Sequence, residues 1–147
     1  MAHRDEREDH EAQHGRPYLL FAVNMVLSLV VMYLVMFAMI DGWRDFHNNL
    51  NTFYMALAMV APMGVLMLAT MGGMYRRKRL NLALHAGFVV LFVVAFAATR
   101  AQWLIDDRQF ARSMIPHHSG AILMCREARL ADPELVALCG EIVEAQR

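Results

Sequence analysis

The sequence predicts an all-α membrane protein in which three transmembrane helices are followed by a helical hairpin outside the membrane. Three observations predict this fold class: the chain of 147 residues is 58% hydrophobic, its apolar residues are concentrated between Tyr18 and Thr99, and its charges lie at the two ends and in two short gaps. A soluble domain would spread apolar positions along the whole chain. The formal net charge is +0, which gives no reason to expect nucleic acid or an anionic surface as a partner. The concentrated apolar segments instead predict membrane lipid as the partner.

Three segments without Asp, Glu, Lys or Arg predict the transmembrane helices, at 18–40, 52–75 and 82–99. Each is long enough to cross most or all of a hydrocarbon core of about 30 Å, since a helix rises about 1.5 Å per residue. A helix is the expected form because it pairs its own backbone groups where water is absent. Pro62 is expected to kink the second span.

The charged gaps predict the orientation of the chain. The segment "RRKR" at 76–79 is strongly basic, and short basic loops stay in the cytoplasm, whereas the loop 41–51 has one arginine and two aspartates. Residues 1–17 are therefore expected to form a cytoplasmic tail, which we predict to be disordered because it has no apolar periodicity. Residues 100–147 are expected outside, in the periplasm if the membrane is a bacterial inner membrane.

The segment after Trp103 has the pattern of an amphipathic helix. The residues expected on one side of that helix are Asp107, Met114, His118, Ala121 and Cys125, with Phe110, His117 and Met124 along one edge. Pro116 predicts either a kink or a restart of the helix with Ser113 as its N-cap.

A turn and a second helix follow at the end of the chain. Asp132 is a natural N-cap and Pro133 a natural first helical residue. The predicted buried stripe of this helix consists of Leu135, Leu138, Cys139, Ile142 and Val143. Cys125 and Cys139 lie equally far from the turn, so we expect them to be neighbours, as a disulfide, a pair of thiolate ligands or two small core residues.

The stretch "RSMIPHHSGAILMC" at 112–125 collects imidazole and sulfur in one short segment. These are soft donors that suit copper, as Cu(I) or, through the imidazoles, as Cu(II). Zinc is less favoured, because a structural zinc site needs four His or Cys ligands and adjacent histidines on a helix diverge by about 100°. The predicted metal ligands are Met114, His117, His118 and Met124, with Cys125, Asp107 and His47 as possible additions.

Residues 106–146 also resemble the CopM-like copper-binding family, long classified as a domain of unknown function. The matching residues are Asp107, Phe110, Met114, His117, His118 and Met124, followed by Pro133, Glu134 and Gln146. The resemblance implies an exported or membrane-anchored helical bundle of ferritin-like shape that binds copper and contributes to copper tolerance.

The chain departs from this family pattern in three ways. It ends at Arg147 where relatives usually continue the helix, it has cysteines at 125 and 139 where small or polar residues are usual, and it adds the membrane spans. A two-helix hairpin cannot bury its apolar face alone, so we expect pairing with another copy into a four-helix bundle. Two copies would bring His117, His118 and the sulfur atoms of both chains together.

The chain is rich in methionine, with 13 in all. Five of them, Met55, Met59, Met63, Met67 and Met71, recur every four residues in the second span. A row of thioethers could pass Cu(I) across a bilayer, but a step of four residues drifts about 40° around the helix, so packing is the favoured interpretation.

Taken together, the sequence predicts a membrane protein that binds copper on its outer side for buffering, tolerance or hand-over. A copper exporter or a periplasmic copper protein would be a suitable partner. The alternative is a structural or assembly module without a physiological metal. An enzyme is the least favoured class, because no nucleophile–base set, paired carboxylates or phosphate-binding loop is visible.

Overall fold

The computed structural model describes the backbone of residues 2–75 and 77–146, and the side chains of residues 16–75 and 77–146. Within the described backbone there are five α-helices, one short 3-10 helix and no strand. The helices are α1 (Ala2–Val35), α2 (Leu50–Thr70), α3 (Lys78–Ala101), α4 (Asp107–Glu127) and α5 (Pro133–Ala145), and the 3-10 helix is Trp43–Asp45. The predicted all-α fold with a C-terminal hairpin is confirmed.

Three helical segments are long and apolar enough to span a membrane, at Arg16–Val35, Leu50–Thr70 and Lys78–Ala101. The three predicted spans are confirmed, with shifted ends. The first helix ends at Val35 because the following residues form turns, in which the backbone N of Phe37 donates to the carbonyl of Leu34 at 3.0 Å. The second begins at Leu50 because Asn49 caps it, its Oδ1 accepting from the backbone N of Thr52 at 2.8 Å.

Helix α1 also includes the polar segment for which the sequence predicted disorder, since it begins at Ala2. The segment 2–14 has neither Gly nor Pro and consists largely of Ala, Arg, Glu and Gln, which have high helix propensity. Pro17 and Pro62 lie within continuous helices.

The chain divides into two compact units, the first formed by Met1–Met32 and Tyr54–Arg100. Its core contains the buried residues Phe21, Met25, Val60, Leu68 and Tyr75. Gly64 lets an aromatic ring pack closely against α2, because a Cβ atom at Gly64 would lie 2.8 Å from the ring of Phe88. Phe21 and Phe88 pack edge to face here, with their ring centroids 5.7 Å apart.

The methionine row of the second span winds around α2 and ends at Met71, just after that helix. Met63 and Met67 pack against the core, whereas Met55, Met59 and Met71 are 41–50% exposed. This arrangement matches the drift expected of four-residue steps, and is compatible with methionine as a packing residue.

The second unit is formed by Tyr33–Phe53 and Ala101–Arg147, and it contains the loop between α1 and α2 together with α4 and α5. Phe37 is buried in the loop, with its ring centroid 4.4 Å from that of Phe46. The turn before α4 places Gln102 and Leu104 in the left-handed region, with φ of 52° and 57°. Every predicted metal ligand lies in this unit.

Candidate metal site

Helix α4 carries most of the predicted ligands and is a single continuous helix. Its N-cap is Asp106, whose side chain accepts from the backbone N of Gln109 at 2.7 Å. The helix continues through Pro116 and does not restart at Ser113, whose hydroxyl donates to the carbonyl of Phe110 at 2.8 Å. Because the helix is unbroken, its side chains keep the spacing of about 100° per residue.

The loop between α1 and α2 holds α4 through a buried serine. Ser119 is 3% exposed, and its Oγ accepts from the backbone N of Asp41 at 2.7 Å and donates to Oδ2 of Asp45 at 2.6 Å. Arg126 pairs with the carboxylate of Asp41 at 2.6 Å. Gly120 permits this approach, because a Cβ atom there would lie 3.3 Å from the carbonyl oxygen of Met39. These contacts set which side of α4 faces the loop.

Two predicted ligands, Met114 and His118, line one cavity of about 240 Å³. The full lining is Asp45, Met114, Ile115, His118, Ser119, Ile122 and Gln146. Residues four apart lie on the same side of a helix, which explains why the thioether and the imidazole share the cavity. Because Oε1 of Gln146 is buried without a hydrogen-bond partner, it is a free acceptor beside them.

Two lining residues, Asp45 and Gln146, were not proposed as ligands from the sequence. Asp45 lies more than sixty positions before α4, and its carboxylate accepts a hydrogen bond from Ser119 of that helix. The signal that could have found it is its place in a short polar loop, on the predicted outer side, two residues before His47. Gln146 is one of the residues that resemble the family pattern.

His117 and Met124 do not line this cavity. His117 is exposed, and its ring centroid lies 5.9 Å from that of His118 with the two planes 57° apart. Met124 is 53% exposed and lies seven residues after His117, which is two turns along the same side of α4. Phe110, seven residues before His117, is likewise 54% exposed. The predicted donors thus divide into an inner pair (Met114 and His118) and an outer pair (His117 and Met124).

The two cysteines form a disulfide, with a Cα–Cα distance of 5.2 Å. The structure therefore selects the first of the three alternatives for Cys125 and Cys139, and in this form Cys125 offers no thiolate to a metal. The bond joins α4 to α5, where Asp132 caps α5 by accepting from the backbone N of Glu134 at 2.8 Å and Pro133 is the first helical residue. The predicted start of the second helix is confirmed.

The remaining candidates lie outside the cavity lining. Asp107 is exposed in the first turn of α4. His47 is half-buried in the loop, and its Nδ1 is buried without a hydrogen-bond partner. Among the side chains that the structure describes, no group of three or more His, Cys, Asp or Glu residues is arranged to hold a metal ion. The thioether of Met114 falls outside those residue types.

The predicted buried stripe of α5 differs from the observed one. Cys139, Ile142 and Val143 are half-buried, whereas Leu135 and Leu138 are 48% and 49% exposed. The physical reason for the difference is that α5 packs against one helix only, and α4 covers only part of the apolar face of α5.

Comparison with known proteins places the hairpin in a described domain. Residues 95–147 match the family described as a domain of unknown function (DUF305). The chain is also 34% identical over 105 residues to an uncharacterized protein of Acanthamoeba polyphaga mimivirus, an alignment that covers 70% of this chain and 67% of the viral protein. No solved structure matches the chain. The chain therefore belongs to the same family as this viral protein and carries a DUF305 domain in its C-terminal part.

Proposed function

We propose that the C-terminal hairpin binds copper through Met114 and His118, and that the protein buffers copper or hands it on at the outer face of a membrane. The observation that supports this proposal is that these two side chains, one helical turn apart, line the same cavity. The resemblance of residues 106–146 to CopM-like copper proteins supports the choice of metal. The membrane is proposed to be a bacterial inner membrane, with the hairpin in the periplasm.

The chemistry of the cavity fits copper better than zinc. A thioether and an imidazole suit Cu(I), which accepts few ligands, whereas the free Oε1 of Gln146 is a harder donor that suits Cu(II) better than Cu(I). The carboxylate of Asp45 also lines the cavity, although one of its oxygens accepts from Ser119. A structural zinc ion would need four His or Cys ligands, and the cavity lining contains one histidine and no cysteine.

The outer pair supports a role in hand-over. His117 and Met124 are exposed on one side of α4, where an incoming carrier or a second copy of the chain could share a copper ion with them. The apolar side chains of Leu135, Val136 and Leu138 on α5 are 48–52% exposed, which favours a partner on this hairpin. We propose that the partner covering these side chains is a second copy of the chain, a copper exporter or a periplasmic copper protein.

The proposal is tested by titrating Cu(I) into the detergent-solubilised full chain against a competing chelator. We expect Met114→Leu and His118→Gln each to weaken binding by about tenfold or more, since even residues that only support a ligand change metal affinity about 10–100-fold. Met71→Leu is the matched control, because this methionine is exposed and lies just after α2, in the other unit. Unchanged affinity in both cavity variants would refute the proposed site.

A structural or assembly module is the second candidate function. The hydrogen bonds of Ser119, the ion pair of Arg126 and the disulfide favour it, because they tie α4 to its neighbours without any metal. The same titration separates the two candidates. If the protein is a structural module, the unmodified chain should bind no more copper than a variant in which both Met114 and His118 are replaced.

A further inference from the structure

A groove of about 410 Å³ lies on the first unit, between α1 and the end of α2. Its lining consists of Arg16, Pro17, Leu20, Phe21, Val23, Asn24, Leu27, Met67, Met74 and Tyr75. The lining is apolar apart from Asn24 and Tyr75 along its length and one charged residue, Arg16, at the start of the span. A groove of this composition on a membrane-spanning helix faces hydrocarbon, so an acyl chain is the chemically matching occupant.

The length of the groove corresponds to one lipid leaflet. On α1 the lining runs from Arg16 to Leu27, eleven residues later, which is about 17 Å at a rise of about 1.5 Å per residue. The hydrocarbon core is about 30 Å thick, so the groove extends over roughly half of it. One acyl chain could therefore lie along it with its headgroup beside Arg16.

A basic segment is fixed next to the charged end of this groove. The backbone N of Arg77 donates to the hydroxyl of Tyr18 at 3.1 Å, and that hydroxyl donates to Oδ1 of Asn81 at 2.9 Å. Asn81 also donates through Nδ2 to the carbonyl of Tyr75 at 2.7 Å. These bonds hold the segment 77–79 against α1 at Tyr18, which is two residues after Arg16.

Among the side chains that the structure describes at this end of the first unit, every charged one is basic. Arg77, Lys78 and Arg79 are exposed, as is Arg16. No Asp or Glu occurs in residues 16–32, 54–75 or 77–100, and the acidic residues of α1 lie at positions 5–11, five or more residues before Arg16. Such a cluster at the edge of a membrane attracts anionic headgroups over zwitterionic ones.

We infer that this groove binds an anionic phospholipid, with one acyl chain along α1 and the phosphate paired by Arg16 and the segment 77–79. Charge complementarity selects the headgroup, and the length of the apolar groove selects a lipid rather than a free phosphate ion. The inference does not depend on copper binding, because no residue of the second unit takes part.

Native mass spectrometry of the full chain in neutral detergent tests the headgroup. Phosphatidylglycerol and phosphatidylcholine with identical acyl chains are titrated separately, and the dissociation constant of the first bound lipid is measured at low salt. We expect about fivefold tighter binding of phosphatidylglycerol for each basic contact. Arg16→Gln should reduce this preference by about fivefold, and the matched variant Arg100→Gln, an exposed arginine at the far end of α3, should keep it.

A second pair of variants tests the groove. Val23→Trp fills the groove and should weaken both lipids, whereas Val26→Trp, at an exposed position of α1 that does not line the groove, should weaken neither. Circular dichroism and gel filtration establish that each variant is folded. Equal affinity for the two lipids in the unmodified chain, an equal effect of the two tryptophans, or displacement of the lipid by excess inorganic phosphate would each overturn the inference.

Discussion

Ser119 on α4 donates a hydrogen bond of 2.6 Å to the carboxylate of Asp45, seventy-four positions earlier in the chain. The same hydroxyl accepts from the backbone N of Asp41 at 2.7 Å, so one buried side chain satisfies a carboxylate and a peptide group of the loop. His118 precedes this serine, and its ring lines the cavity that Asp45 also lines. The orientation of the proposed ligand is thus set by its neighbour.

Replacement of Ser119 by Ala should destabilise the protein by about 1–3 kcal/mol, because two partly buried loop groups lose their hydrogen-bond partner. We expect a lower thermal midpoint in detergent, followed by circular dichroism. Ser113→Ala is the control, since that hydroxyl donates only within its own helix and accepts a bond of 3.3 Å from Asn51. A loss at Ser113 as large as that at Ser119 would contradict this role of the buried serine.

Two glycines of the hairpin should respond differently to alanine. Gly140 in α5 has nothing within 4 Å of an added Cβ, so Gly140→Ala should stabilise the hairpin by up to about 1 kcal/mol through helix propensity. At Gly120 the same Cβ would lie 3.3 Å from the carbonyl of Met39, whose loop is held by Ser119, so the gain should be cancelled or reversed. Thermal midpoints of the two variants measure the difference; equal gains would show that the loop moves freely.

The disulfide should stabilise the hairpin by about 3 kcal/mol, the value expected for closing a loop of about 15 residues. Reduction of the unmodified protein should lower its thermal midpoint. The double variant Cys125→Ser, Cys139→Ser should have this same lower midpoint, and a reducing agent should not change the midpoint of the variant. If the thiols are not ligands, reduction should also leave the number of bound copper ions unchanged. An additional Cu(I) ion in the reduced protein, absent in the serine variant, would make them ligands.

Replacement of His117 should separate the two histidines by function. His117 is exposed, so His117→Gln should alter stability by no more than about 0.5 kcal/mol and leave the inner copper site intact. In the proposed hand-over it should slow transfer of Cu(I) to an acceptor chelator, measured by stopped-flow absorbance. His118→Gln should instead lower the equilibrium affinity. The opposite assignment of these two effects would reverse the inner and outer roles.

The amino-acid sequence by itself determined the three spans, the two-helix hairpin and the start of α5 at Pro133. These features depend on local properties: the length of an apolar run, the period of a helix, and a capping aspartate followed by proline. The ends of the spans were less well predicted, because the cap at Asn49 and the turn after Val35 are set by hydrogen bonds that composition does not reveal.

Only the tertiary structure decided which donors meet. The sequence places His117 and His118 side by side, but the contact of Ser119 with the loop turns His118 to the cavity and leaves His117 exposed. The tertiary structure likewise pairs Cys125 with Cys139 and brings Asp45 into the same cavity lining as Met114. The physical reason is that helical periodicity fixes the angles between side chains on one helix, whereas the direction in which that helix faces depends on contacts between residues far apart in the chain.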